Sequence, residues 1–267
     1  MMRETIQRRE RGLVSAAFLG GLLLVLSSSV FAETVKSDQA RQAYEQGVKL
    51  YGERNYPAAV EALTKALQSN PNHPGALYNL GRIYDGQSKL KEARALLERL
   101  TKIDPAHADG WYLLGRLAEK ENRLKDATDG YRMAIAAKPD LVDAHYNLGF
   151  VYLSQERREE AAKQFKEVLR LNPDYAEAHM NLGVIYTAQG KLDEAEREYE
   201  AAITLKPMLA EAHYNLGIFF ELHRKDVGKA LAQYRRYLEL GGTDERVERI
   251  IHQLGRSPGG GGQGAGK

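Results

Sequence analysis

Histidines, serines and acidic pairs are the side chains of this 267-residue sequence that could move protons, attack a carbonyl or bind a metal. His145, His179 and His213 recur 34 residues apart, which invites a metal site. Ligands must each lie about 2 Å from their ion, whereas packed helices lie roughly 8–10 Å apart. Histidines one structural unit apart therefore cannot converge, and Trp111 holds the same place one interval earlier. They read as packing residues. The serines Ser37, Ser69, Ser88, Ser154 and Ser257 are scattered and show no partner base. Glu159-Glu160 and Asp193-Glu194 sit where helices would start, a position that favours negative charge. Gly261 to Gly266-Lys267 imitates the start of a phosphate-binding loop but lacks the strand, the helix and the Ser or Thr that the loop needs. The expectation is a chain with no catalytic residues, no metal and no cofactor.

A second set of side chains suits the holding of a peptide. Tyr44, Tyr78, Tyr112, Tyr146 and Tyr214 recur in one register, and the next position carries Asn79, Asn147, Asn181 and Asn215, interrupted by Leu113. Each asparagine amide offers both a donor and an acceptor, the groups an extended backbone needs. Three residues further on come Val48, Arg82, Arg116, Phe150, Val184 and Ile218. The expected partner-binding residues are Asn79, Arg82, Arg116, Tyr146, Asn147, Phe150, Asn181, Val184, Tyr214, Asn215 and Ile218.

The elements that must position them follow from one period. Gly47, Gly81, Gly115, Gly149, Gly183 and Gly217 recur every 34 residues, as do Ala59, Ala93, Ala127, Ala161 and Ala195, and Pro71, Pro105, Pro139, Pro173 and Pro207. Repeats therefore run 40–73, 74–107, 108–141, 142–175, 176–209 and 210–242. Within each, positions 4, 7, 8 and 11 form one helical stripe and positions 20, 24 and 27 another. Two helices joined by a turn such as Gln189-Gly190-Lys191 make an antiparallel hairpin. Glycine at 8 and alanine at 20 let the two backbones approach closely. Proline at 32 lacks an amide donor and disfavours helix in the residue before it, so each second helix ends there. Repeat six carries one residue inserted between Arg224 and Gly228, which places its small residue at Ala230; a reshaped loop is the expected result.

The pattern aromatic-x-x-Leu-Gly-x-x-Tyr followed by Ala, aromatic, Ala and Pro, nearly complete in His179–Pro207 and Trp111–Pro139, resembles the tetratricopeptide repeat family over roughly residues 40–241. The resemblance implies an all-α solenoid, a right-handed superhelix of six helix-turn-helix repeats. It also implies a platform whose inner groove, lined by the first helices at positions 2, 5, 6, 9, 12 and 13, holds another protein. Asp109, Asp143, Glu177 and Glu211 give that groove an acidic edge beside an apolar strip in its second half, while Arg82 and Arg116 make the first half more basic. The carboxylate clamp of related repeats needs cations at positions 2, 5 or 6, and only Arg41 qualifies.

The ends complete the array. Residues 33–39 read as a linker. Thr243 is placed to cap a helix over 243–256 whose Val247, Ile250, Ile251 and Leu254 cover the last hairpin, as a solenoid end requires. Residues 257–267 are glycine-rich and read as disordered. At the start, Arg3, Arg8, Arg9 and Arg11 precede the apolar run Leu13–Leu26 and then Val30-Phe31-Ala32, the layout of a secretory signal over 1–32. An uncleaved anchor is the alternative, since Gly12–Ala32 carries no charge. Both readings place the remainder outside the cytoplasm, periplasmic or secreted, with membrane contact only if the segment stays uncleaved. Loss of that segment removes four of 38 basic and two of 36 acidic residues, leaving a balanced chain with no general attraction for nucleic acid. The chain contains no cysteine, so disulfides, thiolate metal sites and a lipidated cysteine are excluded.

The expected function is an exported scaffold that binds a protein or peptide segment in its groove. A partial resemblance to the pilotins of type IV pilus assembly suggests envelope assembly or secretion, although those proteins carry the lipidated cysteine absent here. A substrate-presenting subunit of an envelope enzyme such as a glycosyltransferase, and a self-assembling structural protein, are the alternatives.

Overall fold

The computed structural model describes residues 33–254, and every regular element among them is helical. The leader expected over 1–32 and the tail at 257–267 lie outside the described residues. Helix α1 covers 33–52, followed by α2 (Tyr56–Ser69), α3 (Pro74–Gly86), α4 (Leu90–Ile103), α5 (Ala108–Lys120), α6 (Leu124–Ala137), α7 (Val142–Ser154) and α8 (Arg158–Leu171). Then come α9 (Ala176–Ala188), α10 (Leu192–Leu205), α11 (Ala210–Phe219), a π-turn at Phe220–Arg224, α12 (Val227–Glu239) and α13 (Glu245–Leu254). The chain divides into two compact units, Met1–Leu117 and Ala118–Lys267, with the division inside α5.

Each helix pair is closed by local chemistry. Asn55 accepts a hydrogen bond from the Ala58 amide at the start of α2, and His73 accepts one from the Ala76 amide at the start of α3, where Pro74 needs no donor. Before each terminal proline the chain turns extended, at Asn70, Asp104, Lys138, Asn172 and Lys206, and leaves the helix as the following ring demands. Between the helices one residue adopts the left-handed conformation: Arg54, Ser88, Asn122, Glu156, Gly190 and Lys225, with φ between 56° and 72°. Only Gly190 does so without a Cβ penalty.

The glycine at position 8 makes room chiefly for a side chain. A Cβ there would meet first the side chain at position 24: Leu63 at 2.7 Å from the Cβ at Gly47, with the Leu63 backbone nitrogen at 3.3 Å, Phe165 at 2.9 Å from that at Gly149, and Tyr199 at 2.7 Å from that at Gly183. The missing side chain leaves room for a large one on the second helix. Leu63, Leu97, Tyr131, Phe165, Tyr199 and Tyr234 are all buried there, each worth roughly 1.5–3 kcal/mol of apolar burial. The position-20 alanines Ala59, Ala93, Ala127, Ala161 and Ala195 are fully buried.

Three expectations are corrected. Residues 33–39, read as a linker, are helical turns of α1; no glycine or proline interrupts them, and Asp38 pairs with Arg41 one turn on. The extra residue of repeat six is absorbed upstream of the loop, as the π-turn Phe220–Arg224 that ends the first helix, and the left-handed residue moves to Lys225. A helix can swallow one residue by widening a turn, which keeps Phe219, Phe220, Ala230 and Tyr234 in the core. Finally, Asp244 and not Thr243 caps α13, accepting from the Arg246 and Val247 amides at 2.8 and 3.2 Å. Those hydrogen bonds hold the Asp244 carboxyl below the usual carboxylate range. The cap itself lies as expected: Val247 is fully buried, with Ile250 and Ile251 packed against the same cluster. Arg246 binds Glu221 at 2.9 Å, and Tyr234 donates to the same carboxylate at 2.5 Å. Burial, then that carboxylate, pushes the Tyr234 phenol up.

Candidate functional site

In the second unit the first helices are α7, α9 and α11, and their position-9 residues differ in exposure. Phe150 is 48% and Val184 37% exposed. Ile218 is half-buried and packs against the terminal core, so it supports the fold as well as the face. Leu222, 46% exposed, lies beyond α11 in the π-turn Phe220–Arg224.

Around these residues the polar positions are tied down. Tyr146 stacks on Tyr175 with centroids 4.9 Å apart and meets Phe165 edge-on at 5.7 Å. Buried Asn181 donates its amide to the Tyr146 hydroxyl at 3.4 Å, linking α9 to α7. Burial pushes the Tyr146 phenol up, opposed by that hydrogen bond. Asn147 and Asn215 are half-buried. Tyr214, also half-buried, faces Tyr237 at 5.1 Å, and burial followed by Asp244 pushes its phenol up. Glu177 is bridged by Lys206 at 2.6 Å, which holds its carboxyl low against the opposing effect of burial. The asparagine ladder is thus not a row of open amides.

In the first unit most of the same positions are spent on internal contacts. The Arg82 guanidinium lies over Tyr51 at 5.1 Å and Tyr78 at 5.5 Å, and Arg116 lies 6.0 Å from the Tyr112 ring and 3.7 Å from buried Asp85. Asn79 donates to the Gly75 carbonyl of its own helix at 2.9 Å. Tyr44 and Tyr78 pack on His73 and His107, the last residues of their repeats, as Tyr146 does on Tyr175. Val48 is exposed.

The recurring histidines form a structural ladder. Nε2 of His145, His179 and His213 faces the carbonyl of Pro139, Pro173 and Pro207 at 2.9–3.1 Å, and Trp111 Nε1 donates to Pro105 in the same way. Nδ1 faces Gln164, Glu198 and Gln233 respectively, at 2.6–2.8 Å. A glutamine amide can turn either atom to a neutral ring. Glu198 offers only oxygens, so both nitrogens of His179 face acceptors and the charged ring fits best. Hydrogen bonding to Glu198 accordingly raises the His179 pKa against burial. Among the described residues no group of three or more metal-ligating side chains is gathered, and no helix is long and apolar enough to cross a membrane.

Sequence comparison agrees with this architecture. Tetratricopeptide repeat family models match residues 50–117 and 86–148, and a second pair of matches covers 146–210 and 188–245. The chain belongs to the tetratricopeptide repeat family. Its fold is the all-α tetratricopeptide solenoid, and membership supports the general role of a protein-interaction scaffold. A search of curated proteins found no match. Among solved structures, MamA is 26% identical with a TM-score of 0.57, over 62% of this chain and 96% of MamA. YrrB, described as a tetratricopeptide protein with an unusual peptide-binding site, is 24% identical with a TM-score of 0.63, over 73% and 99% of the two chains. PilW, described as a widely conserved type IV pilus biogenesis factor, is 21% identical with a TM-score of 0.59, over 69% and 87%. These likenesses establish the fold.

Proposed function

We propose that this tetratricopeptide protein is an exported scaffold that binds a segment of another protein on the face formed by α7, α9 and α11. The observation that carries the reading is the exposure of Phe150 and Val184 at successive equivalent positions. Large apolar side chains in water gain by being covered, and exposed apolar surface of this kind marks interaction sites. The peptide-binding site ascribed to YrrB belongs to the same fold and is consistent with this class of partner. The basic and apolar leader over 1–32 supports export, and the fold shared with PilW makes envelope assembly or secretion the pathway to examine first.

The test is affinity capture from envelope extract with residues 33–267 as bait, against a Phe150→Ser/Val184→Ser control. A partner recovered by the first and lost by the second, with helicity unchanged, supports the assignment. Equal recovery by both baits overturns it. The identity of the partner then distinguishes an assembly factor from an envelope enzyme, and recovery of a second copy of the chain indicates self-assembly.

A further inference from the structure

We infer that the segment bound on the α7–α9–α11 face is both apolar and cationic; this rests on the reading of that face as the docking site. The apolar half of the requirement comes from Phe150 and Val184, both exposed. The cationic half comes from the charges around them. Across positions 2, 5, 6, 9, 12 and 13 of repeats four to six there is no lysine or arginine, whereas Asp143, Glu177, Glu211 and Glu221 all fall in this set. Glu221 is neutralised by Arg246 and Glu177 by Lys206. Asp143 and Glu211 are exposed, and no ion pair joins either of them among the described residues. Lys206 lies close enough to feel Glu211 but spends its hydrogen bond on Glu177.

A carboxylate in the first turn of a helix is favourable anywhere, and this explains why the position is acidic. It does not explain why every other position on this side lacks a cation, when the equivalent side of repeats two and three carries Arg82 and Arg116. A segment that covers Phe150 and Val184 while bringing its own carboxylates would set like charges against Asp143 and Glu211. One that brings lysine or arginine would be steered in and paired.

The test displays a library of random twelve-residue peptides against the immobilised protein and sequences the bound fraction. A Phe150→Ser/Val184→Ser variant, checked for unchanged helicity, is run in parallel. Among peptides whose enrichment needs Phe150 and Val184, lysine and arginine should exceed aspartate and glutamate by at least about threefold over the starting library, with the bias shrinking in high salt. Asp143→Lys/Glu211→Lys should reverse that bias while leaving the preference for apolar residues. Enrichment that depends on Phe150 and Val184 but shows no cationic bias overturns this inference and leaves the docking face standing. Enrichment that is identical in both proteins, or absent from both, overturns the docking face and the inference with it.

Discussion

The first helices of the two units share a skeleton and differ in what they offer to solvent. At position 9, Arg82 and Arg116 of the first unit fold over tyrosines, and Arg116 reaches Asp85. The same position in the second unit holds Phe150 and Val184, which stand exposed and rest on no comparable partner ring. A repeat consensus specifies the residues that pack one helix on the next, and it leaves this position free. Repeats two and three use the freedom to consolidate themselves, whereas Val48 of the first repeat and Phe150 and Val184 of the second unit leave apolar surface uncovered. Positions that the fold does not need are therefore where function is best sought in such a protein.

If the two units share one skeleton, the largest effects should be alike in both. Leu97→Ala in the first unit is expected to cost roughly 2–5 kcal/mol and Phe165→Ala in the second roughly 3–5 kcal/mol, read from denaturant melts. A loss under about 1 kcal/mol in one unit alone would show that position 24 does not carry both alike. Next come the strained turns. Ser88→Gly and Glu156→Gly each relieve a left-handed non-glycine residue and should stabilise by about 1 kcal/mol, by the same amount in both units, because neither exposed side chain is needed by the turn. A thermal melt that moves down in either variant contradicts this.

Smaller again is Arg82→Ala, which removes an exposed cation–π contact worth about 0.5–1 kcal/mol. It should leave partner capture unchanged, while Phe150→Ser/Val184→Ser abolishes capture at little cost in stability. Loss of capture in the arginine variant would show that Arg82 also serves binding.

The smallest effect separates one repeat from its neighbours. His179 has a pKa raised chiefly by Glu198, so its contribution to stability is complete below the unfolded value of about 6.5 and disappears as pH rises through the folded value. Glu198→Gln should flatten stability against pH above about 6.5. Parallel pH profiles for wild type and variant would show that the ring is not held charged.

Much of the fold was legible in the sequence because each repeat states its packing residues again. Position 24 is large and position 8 is glycine in every repeat, and the helix boundaries followed from proline and turn residues. The space the glycine leaves for the side chain at position 24 was not legible, because spacing shows that two positions face each other but not which atoms meet there. The linker assignment failed because a helix continues through any stretch without a breaker, whether or not that stretch is buried. Of the expected site residues, Phe150 and Val184 stand exposed, while Asn79, Asn181, Arg82 and Arg116 are engaged in contacts inside the protein. Side-chain type announces what a group can bond to, not whether that capacity is already used.

The sequence by itself determined the period, the helical hairpins, the family and the absence of disulfides, because these depend on residue type at fixed spacing. The tertiary structure alone decided that the extra residue of repeat six widens a turn at Phe220–Arg224, that Asp244 caps the last helix, and that His179 meets a carboxylate where its counterparts meet amides. The physical reason is common to all three. An inserted residue can be absorbed in a helix or in a loop, a cap can fall on either of two adjacent polar residues, and a histidine can meet partners from any neighbouring element. Each choice is made by packing and hydrogen-bond satisfaction across the hairpin, in contacts that sequence spacing does not specify.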